Sequence, residues 1–166
     1  MPHRGFLVID ANVLVDYQAA DLAILALVNH HVGTVHILTT MLAEVEGLDE
    51  SDCEQLGIRV VEPTFAQVTE AASRAGRLSF QDRTCLVVCR DHGWTCVSND
   101  RALRRACEAD GVGVIWGLEL MLELVRNGHL PGANAFEAAE RIHVANPVYV
   151  TSTILAAFRA KLGGLV

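Results

Sequence analysis

Asp10 ends the apolar run Phe6-Leu-Val-Ile9, and a charge set directly after a buried strand is costly unless something pairs with it. Three more acids share that character. Asp100 follows Val97-Ser98-Asn99, Asp82 stands three residues after Ser79, and Glu44 interrupts Met41-Leu-Ala. Carboxylates brought together repel one another, and one or more then keeps a proton. A divalent cation removes that conflict. Mg²⁺ favours hard oxygen ligands, often through only one or two carboxylates with waters completing the shell. The chemistry of such a cluster is metal-assisted hydrolysis of a phosphate ester. Each acid also has a plainer reading. Asp10 and Asp100 serve equally well as helix caps, and Asp82 complements the positive end of a helix. Glu44 is also readable as an exposed helix residue, with Glu46 as its rival. No Ser–His–Asp or Cys–His constellation competes with the acids, and the histidines lack an H-E-x-x-H spacing.

The acids meet only if the chain brings its strand ends together. Short apolar runs at Phe6–Ile9, Val35–Leu38, Ile58–Val61, Trp94–Val97 and Val112–Trp116 read as strands buried on both faces. Between them lie helical stretches. Asn12–Asn29 forms one or two helices, and Thr39 or Thr40 opens another that runs to about Glu46 and stops at Gly47. Asp49–Leu56, Thr64–Ala75, Ser79–His92 and Asn99 or Asp100 to Ala109 follow. Three further helices, Leu118–Arg126 and about 134–144 and 150–162, come after the last strand. Alternating strands and helices predict a three-layer α/β/α fold on a mostly parallel, roughly five-stranded sheet. One domain spans 1–166, with a core of about 5–116 and a helical extension of about 117–166. Such a sheet places its site at the carboxyl ends of the strands, where Asp10, Ser98 and Asp100 fall.

Composition agrees. The 166 residues are 51% hydrophobic and 20% charged, enough to bury a core. The mean hydropathy is +0.30, yet the longest apolar stretch, Leu22–Val28, is far short of the roughly 20 residues that span a bilayer. Met1–Ile9 does not read as a signal segment, because Asp10 ends it and no small-residue cleavage site follows. Five cysteines, an odd number, read as reduced thiols of a cytoplasmic protein. A zinc site from Cys85, Cys89, His92 and Cys96 matches no standard knuckle, and the first two sit in a buried-helix pattern. The net charge of −7 excludes coating of nucleic acid by bulk electrostatics, though not local binding through metal ions and a basic patch.

In Val8-Ile-Asp10-Ala-Asn12-Val-Leu-Val15 the chain resembles the opening motif of PIN domains. Thr40-Met-Leu-Ala-Glu44-Val45, Gly76-Arg-Leu-Ser-Phe-Gln-Asp82-Arg-Thr-Cys-Leu86 and Val97-Ser98-Asn-Asp100-Arg-Ala-Leu103 resemble the second, third and fourth. The resemblance runs from Ile9 to about Trp116, two thirds of the chain. It implies that Asp10, Glu44, Asp82 and Asp100 hold one or two Mg²⁺ or Mn²⁺ ions, with Asn12 and Ser98 supporting them by hydrogen bonds. It further implies a ribonuclease that leaves 5′-phosphate and 3′-hydroxyl ends. The size and motif set are similar to the toxin of a VapBC-type toxin–antitoxin pair.

Substrate contacts must come from arginine, since Lys161 is the sole lysine. Arginine suits bidentate phosphate contacts. Arg77 and Arg83 flank Asp82. Arg101, Arg104 and Arg105 share one helix face, which reads as RNA-binding or as simply solvated. No interleaved aromatic platform for stacking bases is apparent. An antitoxin would find apolar helices at Asp16–Asn29 and Thr40–Glu54, and a homodimer fits the same family. Two other PIN readings stand beside the toxin: an RNA-processing nuclease and a non-catalytic binding module. A haloacid-dehalogenase-type phosphatase wants a second Asp where Asn12 stands and a lysine before its last acids, which this chain lacks.

Overall fold

The computed structural model describes residues 5–165; the opening of the Met1–Ile9 run and Val166 lie outside the described residues. Five strands, β1 (Phe6–Ile9), β2 (Thr34–Leu38), β3 (Arg59–Val61), β4 (Thr95–Val97) and β5 (Val114–Ile115), form one sheet in the order β3-β2-β1-β4-β5. Every pairing is parallel, with Val8 opposite His36 on one side and Cys96 on the other. The central strand is apolar throughout because both its faces are covered. Val8 and Ile9 are completely buried.

The stretch after β1 divides into α1 (Ala11–Ala20) and α2 (Ala23–His31). Asp21 sits extended between them and its carboxylate accepts from the Ala23 amide, which turns the chain. The pair is bent by 120°, and no single helix among the described residues is long and apolar enough to cross a membrane. One expectation needs correction. The helix after β2 does not reach Glu46: α3 is only Thr39–Leu42. Beyond it the amides of Glu44 and Val45 bond three residues back, to Met41 and Leu42, so the ladder tightens into turns. Gly47, at φ 80°, closes that segment in a conformation that a side chain would strain.

Strong caps set the next helices. Asp49 and Asp52 form a reciprocal capping box on α4 (Glu50–Gln55), and Thr64 and Gln67 form another on α5 (Phe65–Ser73). Ser79 caps α6 (Phe80–His92), and Gly93 ends it in the left-handed region. Helix α7 (Arg101–Ala109) leads to β5, which pairs over two residues rather than the five read from the sequence.

The extension is α8 (Glu119–Arg126), α9 (Gly132–Ala145) and α10 (Ser152–Gly163). It is not a separate appendage. Helix α9 packs along α1, and α10 closes over α8 and α9. Leu120, Met121, Leu124, Ala135, Ala139 and Ile142 join the same core as the strands.

Candidate metal centre

Strand order reverses at β1: the chain builds outward through β2 and β3, then crosses back to place β4 on the other side. The carboxyl ends of β1 and β4 therefore flank the crevice where open parallel sheets bind ligands. Asp10 leaves β1 there, with its amide still bonded to the Val97 carbonyl at 3.1 Å. One carboxylate oxygen accepts from the Val13 amide at 2.8 Å and so caps α1. The other accepts a short hydrogen bond from the Ser98 hydroxyl. Ser98 in turn accepts from the Asp100 amide at 3.0 Å, and Asp100 caps α7 through the Leu103 amide at 2.9 Å. The cap reading therefore holds for both aspartates, and Ser98 links them at the strand ends.

Asp10 is only 3% exposed. Burial is the main reason its carboxyl is pushed up to about 6. The bonds from Ser98 and Val13 oppose that rise, while the charges of Asp82 and Asp16 add to it. Asp82, in the first turn of α6, is also raised, chiefly by burial and then by Asp100 and Glu44, against a lowering hydrogen bond from Ser79. Asp82 is thus the common neighbour: its charge bears on Asp10, and those of Asp100 and Glu44 bear on it. Glu44 takes part from an exposed turn rather than from mid-helix. Glu46, its rival, uses its carbonyl to accept from the Gln18 side chain.

Other predicted residues divide. Ser98 is fully buried and bonded as described. Asn12 is exposed and makes no side-chain hydrogen bond among the described residues. Arg77 and Arg101 are exposed. Arg83 turns back and donates to the Arg74 carbonyl, a brace for the α5–α6 connection. Arg104 leaves the expected solvated face. It donates to the Ser98 carbonyl at 3.2 Å, and its guanidinium lies 3.6 Å from the centre of the Trp116 ring.

Three residues behind the acids escape a reading by motif. Asp16 is 3% exposed within α1, and its two oxygens accept from Asn99 at 3.1 Å and Asn146 at 2.9 Å. Burial pushes its carboxyl to about 6 against the lowering of those two amides. Asn99 also accepts from the Gly117 amide at 2.9 Å, tying the exits of β4 and β5 together. A Cβ at Gly117 would sit 3.1 Å from Asn99 Nδ2 and 3.3 Å from Val13 Cγ2, so only glycine fits without a shift. The one sequence signal for this group is Asp16 itself, a lone charge inside Asn12-Val-Leu-Val-Asp-Tyr17.

The acids do not form a closed cage. Among the described residues only Cys85, Cys89 and Cys96 bring three ligand-type atoms within 4.8 Å of one another, and all three are buried. All five cysteines are free. The Cys85 and Cys96 thiols are pushed well up, by hydrogen bonds to neighbouring thiols first and burial next. His92, grouped with them in the sequence reading, is exposed and stacks on Trp94 instead. An open set of hard oxygens, with the Asp10 and Asp82 carboxyls raised chiefly by burial, suits Mg²⁺ or Mn²⁺, which keep several waters and need few direct protein ligands.

No family model matches the sequence, and no curated protein matches it. A solved structure does. The chain is similar to a PilT N-terminus domain protein from the hyperthermophilic archaeon Sulfolobus solfataricus P2, at 17% identity and a TM-score of 0.50. The match covers 70% of this chain and 91% of that one. At that identity the likeness is one of fold: a five-stranded parallel sheet between helical layers, the PilT N-terminus or PIN-type fold.

Proposed function

We propose that this chain is a Mg²⁺- or Mn²⁺-dependent endoribonuclease acting as the toxin of a toxin–antitoxin pair. The observation that carries the reading is the gathering of Asp10, Asp82, Asp100 and Glu44, from four elements, at the switch point of the sheet. Nothing in the fold needs Asp10 to be acidic: asparagine would cap α1 as well, and a charge so buried destabilises the chain by itself. Asp10, Asp82 and Asp100 would hold the cation, with Glu44 completing the acidic rim from its exposed turn. When bound there, the ion supplies neutralisation of phosphate charge and a more acidic water.

The rest falls to the chain. Ser98 holds one Asp10 oxygen through its hydroxyl and locates the Asp100 backbone through its oxygen, so the two aspartates keep a fixed spacing. Arg77 and Arg101, exposed on either flank, would take the neighbouring phosphates. No side chain need attack phosphorus. The toxin role is supported by the size and the motif set; an antitoxin and a homodimer are its implied partners.

The test uses purified full-length protein and labelled single-stranded RNA, with Mn²⁺ or Mg²⁺ against EDTA and beside Asp10→Asn. Cleavage that needs the ion and vanishes in the variant supports the nuclease. Folded wild type that cuts several RNAs no better than Asp10→Asn defeats it as a general nuclease. Growth arrest on induction of wild type, and not of Asp10→Asn, supports the toxin role; its absence leaves a housekeeping nuclease.

A further inference from the structure

A recess opens beside Asp100 where the extension meets the sheet. One part of it, about 210 Å³, is lined by Trp116, Leu118, Leu122, Tyr149, Ile154 and Phe158, with Glu119 beside them. That is below the roughly 300–1,000 Å³ of sites for drug-sized ligands. A second part borders Asp100 itself and shares Asn99, Arg101, Trp116, Tyr149 and Ile154 with the first. Two cations line it: Arg101 borders both parts, and Lys161, the sole lysine of the chain, borders the first. Trp116 and Tyr149 are far apart in sequence, which hid them from any reading of local spacing. Trp116 follows β5 and carries the Arg104 guanidinium against its ring. Tyr149, in the turn before α10, is 44% exposed.

An apolar slot with three aromatic rings, two cations and, at one end, Asp100 of the proposed metal site matches the parts of one nucleotide. We infer that the recess is a subsite for an unpaired nucleobase of the RNA, adjoining the phosphate held at the acids. The inference rests on the nuclease reading and adds the substrate's conformation to it: single-stranded at this position, with the base turned out. Stacking on aromatic rings is tolerant of base identity, so the slot selects an unpaired base before it selects a sequence. The helical extension thereby contributes substrate contacts as well as core.

Trp94 lies at the opposite end of β4, stacked 4.3 Å from both His36 and His92, so Trp94→Phe leaves Trp116 as the reporter. In EDTA, which separates binding from cleavage, this variant is titrated with a five-nucleotide RNA and with the same RNA lacking its central base. The expected result is a change in Trp116 emission with the complete RNA and about 5- to 100-fold weaker binding of the abasic one, the range of one stacked base. Adding Tyr149→Ala weakens the complete RNA by a similar factor and leaves the abasic one unmoved. Should that variant fail to fold, the comparison of the two RNAs decides alone. Equal affinities, equal emission changes, or no binding of either RNA overturn the subsite. Metal-dependent cleavage without preference for the base-bearing RNA sinks the subsite and leaves the nuclease standing. Base-dependent binding without cleavage under any metal does the reverse.

Discussion

Helix α6 serves two clusters of opposite character. Its first turn carries Asp82 toward Asp10 and Asp100, and its next two turns carry Cys85 and Cys89 into the core against Cys96. The oxygens are spread and partly open, with Asp10 and Asp82 raised chiefly by burial. The sulfurs are packed, closed and protonated, with Cys85 and Cys96 4.0 Å apart. A neutral thiol enters an apolar core as a small hydrophobe at little cost, whereas a carboxylate there opposes folding. The sulfur cluster therefore needs no function to explain it, and the oxygen cluster does.

The sharpest way to break this comparison is Asp10→Asn. Asparagine keeps the α1 cap and removes the charge. Metal-dependent cleavage should fall by more than about 100-fold, beyond the usual loss for a residue that merely supports a ligand. The melting temperature without metal should rise at pH 8; a fall would mean that Asp10 is structural.

The next largest effect is on pH. Asp10 and Asp16 both sit at about 6, against an ordinary value of 3.8. A raised acid holds its proton more tightly when folded. Its stabilising share is thus complete below about pH 4 and is lost as pH rises through 6. For Asp10 that share is on the order of 2–3 kcal/mol. Metal-free protein should melt higher at pH 5 than at pH 8 in a calorimetric series, and added Mn²⁺ should close the gap by stabilising pH 8 more. Below pH 4 the exposed pair Glu70 and Asp91, lowered by Arg90, works in the opposite direction. A flat profile from 5 to 8 would contradict the burial of these acids.

On the sulfur side, Cys96→Ser places a hydroxyl among thiols and apolar groups. It should cost roughly 1–3 kcal/mol in denaturant unfolding and leave cleavage per folded molecule unchanged. A loss of activity at constant fold would join the two clusters. Asn146→Ala removes one amide from buried Asp16. About 1–2 kcal/mol and faster hydrogen exchange across α9 and α10 are expected. Smallest is Gly117→Ala, which displaces Asn99 and should lower cleavage a few-fold without changing metal affinity, as read by calorimetric titration.

What the sequence disclosed follows the range of each signal. Asp10, Ser98 and Asp100 were legible because a strand end and a helix cap are marks of a few residues. The parallel sheet was legible from its apolar runs. Asp16, Asn99 and Asn146 were not, since they meet across 83 and 130 residues. Helix α3 was overextended because good helix formers continue past Leu42, while the backbone tightens to reach Gly47. The exposure of Asn12 and the turn of Arg83 back to Arg74 were not legible, because proximity in sequence to an acid does not say which way a side chain turns.

The bond between Asp16 and Asn146 also has a meaning in time. Ser98 lies 88 residues beyond Asp10, and Asn146 lies 130 beyond Asp16. Synthesis runs from the amino end, so the ribosome delivers the first aspartate long before its partners. A chain halted after β3 has neither Ser98 nor Asp100. One halted after β5 has the acids but lacks the amide that quiets Asp16 and the helices that pack on α1. The site is thus a late product of translation, finished only when most of the chain has emerged.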